Sequence, residues 1–160
     1  MEPVSQFIKE QYELVLESRK VLIEYCKTIS PEDFLYENSN FGRGGSIRNL
    51  LTHIANTYKF WISEHGLKKP IVFTPNESVQ NVNGTIDLFD KIDMIIFEFI
   101  DLVGKMEKKH IEYEIDGIKS STTPLRLFTH VITHEFHHKG QILSMSRYLG
   151  YTPVDTDIII

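Results

Sequence analysis

The sequence has a single cysteine, Cys26, among its 160 residues. One cysteine cannot form an internal disulfide, and this scarcity is typical of a reducing compartment such as the cytoplasm. Cys26 lies among Ile23, Tyr25 and Ile29 in a segment with helical periodicity. We therefore interpret it as a packing residue rather than a catalytic thiol. A chain of this length can bury a core without disulfides.

Long apolar runs and an excess of basic residues are also missing. No run approaches the roughly 20 apolar residues that span a bilayer, and residues 1–11 are too polar for a signal peptide. Lysine and arginine total 17 against 22 aspartate and glutamate residues, a net charge of −5. This balance argues against general nucleic-acid binding. The composition, 41% hydrophobic and 24% charged, predicts one globular domain over residues 1–160.

Helical periodicity dominates the chain. The pattern predicts a short helical turn at 31–35, and four long helices at 4–29, 46–66, 85–109 and 124–149. On the first of these, the predicted core stripe consists of Phe7, Gln11, Leu14, Val15, Ser18, Leu22 and Tyr25. Residues 111–117, IEYEIDG, alternate and predict a short strand or an extended loop. The expected fold is all-α: an antiparallel four-helix bundle with long connections.

The stretch THEFHHKGQ at 133–141 matches H-E-x-x-H, a pattern typical of zinc proteases. A protease of this type needs a third ligand downstream, but no histidine or glutamate follows His138. Asp155 and Asp157 could bind metal, but they lie in a terminal tail. The extended metzincin spacing is absent too, and no edge strand is predicted that could align a peptide. The sequence therefore disfavours a protease.

Helical phase selects a pair of histidines from this stretch. At about 100° per residue, His138 lies about 40° from His134, so both project from one side of the helix. Both are within or beside the apolar stripe formed by Leu127, Val131, Ile142, Met145 and Leu149. His130 and His137 fall on its outer shoulder. We predict that His134 and His138 bind a metal, with His130 and His134 as the reserve pair.

His53 is the best candidate for a third ligand. It lies about 60° from Leu50, at the border of the apolar stripe on the second long helix. A side chain at such a border can reach the crevice between helices. The alternative is a histidine that is hydrogen-bonded at a helix interface. Imidazole ligands favour zinc or nickel, with iron or manganese as alternatives.

Glu135 lies about 100° from His134, on the other flank of the stripe. It could orient a ligand, act as a base or form a salt bridge, and of these the pattern favours the salt bridge. A second apolar line also follows the same helix, and another helix or a second subunit would cover it: Ile132, Phe136 and Leu143.

Two segments together resemble the DinB-like superfamily of bacterial four-helix metal-binding proteins. They are SIRNLLTHIAN at 46–56 and HVITHEFHHKGQILSMSRYLG at 130–150. The resemblance implies a three-histidine metal site at His53, His134 and His138. Lys139, Gly140 and Gln141 match the end of the family motif, although the family usually has arginine in place of Lys139.

The resemblance also implies a range of functions. Members whose activity is understood include S-transferases and isomerases that use mycothiol, bacillithiol or a related small thiol. We therefore expect a metal-dependent enzyme, in particular a bacillithiol-type S-transferase or a related transferase or hydrolase. Its partners would be a small thiol, a small electrophile and a second copy of the chain. No catalytic residue is assigned, but Glu135 and Gln141 are candidates. The alternatives are a non-enzymatic metal-binding stress-response protein and a bundle that binds no metal.

Overall fold

The computed structural model describes residues 3–42, 44–107 and 110–159. The structure is a helical bundle with one small sheet, which confirms the predicted fold class. Within the described ranges, no helix is both long and apolar enough to cross a bilayer. The helices are α1 (Pro3–Cys26), α2 (Pro31–Leu35), α3 (Ile47–Tyr58), α4 (Val82–Lys105) and α5 (Pro124–Tyr148), and the strands are β1 (Ile111–Ile115) and β2 (Ile118–Thr122).

The two helices that carry the candidate ligands begin at side-chain caps. The Ser46 hydroxyl accepts a hydrogen bond from the Asn49 amide at 3.1 Å at the start of α3. The Thr123 hydroxyl accepts from the Arg126 amide at 3.2 Å, and Pro124 occupies the first turn of α5. Such caps satisfy amides that have no partner within the helix. They fix where α3 and α5 start, and so the phase of the histidines that follow.

The second long helix changes its winding after Tyr58. The predicted helix 46–66 is helical throughout, but residues Lys59–Gly66 form a π-helix. Its wider turn is visible where the Leu67 amide donates to the Ile62 carbonyl, five residues back, at 2.8 Å. Segments of π-helix occur frequently beside functional sites. Apolar periodicity assumes 3.6 residues per turn and therefore did not predict this change.

The third long helix starts earlier and ends earlier than predicted. Asn81 caps α4 by accepting from the Gly84 amide at 3.0 Å, so the helix begins at Val82 rather than residue 85. Gly84 in the first turn disfavours a helix, so the sequence pattern did not predict this start. The helix ends at Lys105, where Met106 becomes extended. The predicted end at 109 lies outside the described residues, as does residue 108.

The extended segment predicted at 111–117 is the first half of a β-hairpin. Strands β1 and β2 pair antiparallel, with Ile115 opposite Ile118. Asp116 and Gly117 form the turn with φ values of 51° and 78°. Positive φ at both central residues suits the right-handed twist of a hairpin. The second strand, IKSST, is exposed along most of its length and has no apolar alternation that would predict it.

The buried face of α1 matches the predicted stripe in the second half of the helix, at Val15, Ser18, Leu22 and Tyr25, but differs from it in the first half. Phe7 is 48% exposed, whereas Ile8 and Tyr12 are fully buried. Arg19, a charged residue, lies on the same buried face and is only 4% exposed. The helix packs against α4, while α3 packs against α5. The latter contact brings the histidine-bearing helices together.

Candidate metal centre

Three histidines from two helices converge at the contact between α3 and α5. The ring centroid of His53 lies 5.0 Å from that of His134 and 4.8 Å from that of His138. One ring nitrogen from each of the three residues lies within 4.8 Å of the other two. The structure thus brings together the three residues that helical phase and the family resemblance selected. This group could hold a metal ion.

The two histidines of α5 bring ring nitrogens close together, and one buried nitrogen of His134 has no hydrogen-bond partner among the described residues. Their Nε2 atoms lie only 3.1 Å apart, and among the described residues nothing hydrogen-bonds the buried His134 Nδ1. Burial lowers the pKa of His134 to about 4, with His138 and His53 adding to the effect. Burial likewise lowers the pKa of His138. Neutral imidazoles are the form that binds metal, so the site is suited to a divalent ion.

Gln141 orients one of these rings. Its Oε1 lies 2.6 Å from Nδ1 of His138. Because an amide oxygen only accepts, this contact places the His138 proton on Nδ1 and leaves Nε2 with a lone pair directed towards His134. Metal-binding histidines commonly have such a partner on the second nitrogen. Gln141, a candidate catalytic residue by sequence, is therefore placed as the partner of His138.

A cleft opens on one side of the histidine group. It has a volume of about 530 Å³, and both His53 and His138 line it. Carboxamide side chains are frequent in the lining, which also includes residues of the segment before α3: Asn49, Asn56, Asn76, Gln141, Phe41, Gly42 and Gly44. The cleft has room for a small molecule next to the histidines. A shallower depression of about 560 Å³ over the β-hairpin contains none of the three.

The other histidines of the stretch lie outside the group. His130 is exposed, and its ring packs 5.1 Å from that of Trp61 and 6.3 Å from that of His134. His137 is exposed, and its Nε2 lies 3.4 Å from Nε2 of Gln141. The reserve pair of His130 and His134 is thus not the one that the fold joins to His53.

Glu135 lies in the core and not in the cleft. Its carboxylate is 1% exposed and forms an ion pair with Arg19 at 2.8 Å. Burial alone would raise the pKa of Glu135, but Arg19, Lys139 and the Tyr58 hydroxyl lower it to about 2. The salt bridge that the sequence favoured is present. In a zinc protease the corresponding glutamate activates water, and this carboxylate is fully engaged elsewhere.

The terminal aspartates that could have completed a protease site are not members of the ligand group. Asp155 Oδ1 instead accepts from the Asp157 amide at 2.8 Å, and neither residue belongs to the group formed by His53, His134 and His138.

Comparison with known families identifies the chain. The DinB family matches residues 4–160. The chain belongs to the DinB family. This family consists of helical metal-binding proteins, in agreement with the fold and with the three-histidine group. No curated protein matches the chain closely enough to serve as a relative.

One part of the site is not apparent from DinB family membership or from helical phase. Arg19 and Tyr58 bind the carboxylate next to His134, and both are buried. A signal for Arg19 exists in the sequence, because it stands four residues after Val15 and three before Leu22, both buried. A charge at such a position on an apolar face indicates a buried partner.

Proposed function

We propose that the protein is a metal-dependent S-transferase in which His53, His134 and His138 bind a divalent ion. The substrates would be a low-molecular-weight thiol of the bacillithiol type and a small electrophile. The observation that carries this proposal is the convergence of three imidazoles beside an open cleft of about 530 Å³. Three protein ligands with an open side are the arrangement of a catalytic zinc site, whereas structural sites have four.

The ion would supply Lewis acidity, which lowers the pKa of a thiol and makes it nucleophilic near neutral pH. The chain itself holds the histidines in place. Gln141 fixes the tautomer of His138, and the low pKa of His134 keeps that ring neutral. The cleft leaves space for a small molecule next to His53 and His138.

The burial of the only cysteine supports the proposal that the reacting thiol is a separate molecule. Cys26 is fully buried in the bundle core, and burial raises its pKa to about 12. A thiol in this state is neither ionised at neutral pH nor accessible to a substrate. A thiol-dependent reaction in this protein therefore requires a separate thiol molecule.

Metal analysis of the purified protein tests the first half of the proposal. We expect wild type to bind close to one equivalent of zinc or nickel, and His53→Ala and His138→Ala to lose most of it, because two imidazoles hold a divalent ion poorly. His110→Ala is the matched control, since His110 is exposed and outside the group. Equal and negligible metal in wild type and in all three variants would refute the site.

A conjugation assay tests the second half. The metal-loaded protein is mixed with an aryl halide or a bimane electrophile and a panel of thiols that includes bacillithiol, glutathione and cysteine. We expect acceleration with at least one thiol, and its loss in His53→Ala. Metal-loaded protein that accelerates no thiol would instead favour a metal-binding protein without this activity.

A further inference from the structure

Each histidine of the α5 pair is followed directly by a buried charged residue. Glu135 follows His134, Lys139 follows His138, and each of these two charged side chains is only 1% exposed. Lys139 Nζ lies 3.3 Å from Glu135 Oε1. The charged pair thus has the same four-residue spacing as the ligands, one position further along the helix. Contacts that fix the position of Glu135 therefore also fix the helix backbone between His134 and His138.

Glu135 is held by donors from two other helices. Arg19 of α1 donates from Nε at 2.9 Å and from Nη2 at 2.8 Å, one bond to each carboxylate oxygen. The Tyr58 hydroxyl donates to Oε2 at 2.6 Å. Arg19 also contacts Asp93 of α4 at 2.6 Å. Charge-assisted hydrogen bonds inside a protein are short, strong and geometrically demanding.

Tyr58 stands on α3, the helix that carries His53. The two residues are five positions apart, which is about 7.5 Å along the helix axis. The bond between Tyr58 and Glu135 therefore joins α3 to α5 at a residue next to His134 on α5 and about 1.4 turns from His53 on α3. It connects the same two helices that the metal would connect.

We infer that the hydrogen bond from Tyr58 to Glu135 is a positioning device for the metal site. It sets the spacing and rotation of α3 against α5, so that His53 reaches the α5 pair before any ion binds. This inference rests on the proposed metal site. Tyr58 and Glu135 touch neither metal nor substrate, and they act through the helices that present the ligands. Groups that hydrogen-bond a metal ligand directly commonly change metal affinity 10- to 100-fold when they are removed, and we expect a contact that acts through the helices to reach the lower end of that range.

The test compares three variants of the full chain. Tyr58→Phe removes the hydroxyl and keeps the buried ring. Glu135→Gln keeps the shape of the side chain but removes its charge. Tyr25→Phe is the matched control, because the Tyr25 hydroxyl also forms a buried bond between helices, to Ser146 Oγ of α5 at 2.8 Å, but does not involve α3. Zn²⁺ affinity is measured by competition with a chelating dye, and Co²⁺ absorption reports the geometry of the ligands.

We expect Tyr58→Phe to weaken Zn²⁺ binding about tenfold or more and to change the visible spectrum of bound Co²⁺. Tyr25→Phe should keep the wild-type affinity and spectrum, although it also loses a buried hydrogen bond. Glu135→Gln should act in the same direction as Tyr58→Phe. Circular dichroism of each metal-free variant shows how much of it is folded, and affinities are expressed per folded molecule.

Three results would overturn the inference. A Tyr58→Phe variant with wild-type affinity and spectrum would show that the bond does not position the ligands, while the proposed metal site would stand. An equal loss in Tyr25→Phe would show that any weakened bundle binds metal poorly. A wild-type protein that takes up neither Zn²⁺ nor Co²⁺ would remove both the inference and the proposed function.

Discussion

The replacement Arg19→Met probes the buried ion pair most directly. Methionine fills similar space but removes both hydrogen bonds to Glu135 and the ion pair with Asp93. It also removes a cation–π contact, in which the guanidinium lies 4.5 Å from the Phe89 ring centroid. We expect the variant to fold less stably because the carboxylate stays in the core with fewer donors.

The pKa of Glu135 indicates the size of the effect. Burial would raise that pKa, yet Arg19 and the neighbouring donors bring it from 4.5 to about 2. A difference of this size corresponds to about 3 kcal/mol in favour of the charged form in the folded protein. Removal of one partner from a buried pair typically costs about 3–5 kcal/mol. The total stability of a domain is about 5–15 kcal/mol, so Arg19→Met should lose a substantial fraction of the free energy of unfolding.

Urea unfolding in the presence of a chelator measures this loss without a contribution from metal. A double-mutant cycle with Glu135→Gln isolates the pair, and we expect a coupling free energy of about 2–3 kcal/mol. Lys105 and Asp101 provide the control pair. They lie 2.6 Å apart but are 72% and 66% exposed, and exposed pairs contribute at most about 1 kcal/mol. A coupling between Arg19 and Glu135 no larger than that of the control pair would refute the reasoning.

Two further predictions concern single side chains. The metal-free protein should lose stability as the pH falls from about 6.5 towards 4, because unfolded chains protonate His134 while burial lowers its pKa to about 4 in the folded state. Urea midpoints at several pH values check this, and an unchanged slope in His134→Gln would contradict it. The Cys26 thiol should react with a disulfide reagent only after unfolding, since it is buried with a pKa of about 12. Rapid reaction of the native protein would contradict the position of Cys26 in the core.

Helical phase predicted the histidine group well because it depends on regular winding. His134 and His138 lie on one side of an uninterrupted α-helix, and His53 precedes the π-helical segment of its own helix. Up to that point the angular argument holds for both helices. The start of α4 was not predicted correctly because the Asn81 cap determines it. The apolar pattern contains no information about such a cap.

Apolar pattern was least informative where charged residues are buried. Helical phase placed Glu135 on a flank of the apolar stripe and favoured a salt bridge for it, but the pattern identified neither the partner nor the burial of Arg19. Their burial depends on partners 116 residues away in sequence, which the fold brings together. A single sequence contains no direct record of such pairing. Lys139 is a similar case, because the resemblance marked it only as part of a motif.

The four charged groups of the core network balance each other. Arg19 and Lys139 contribute two positive charges, and Glu135 and Asp93 contribute two negative charges. Loss of any one of these four groups would leave an unbalanced charge in or next to the protein core, which solvates charge poorly. An evolutionary path that replaced these residues one at a time would pass through destabilised proteins. We therefore expect these positions to vary together among DinB proteins that share this arrangement, with an apolar residue at one position accompanied by the loss of a charge at another.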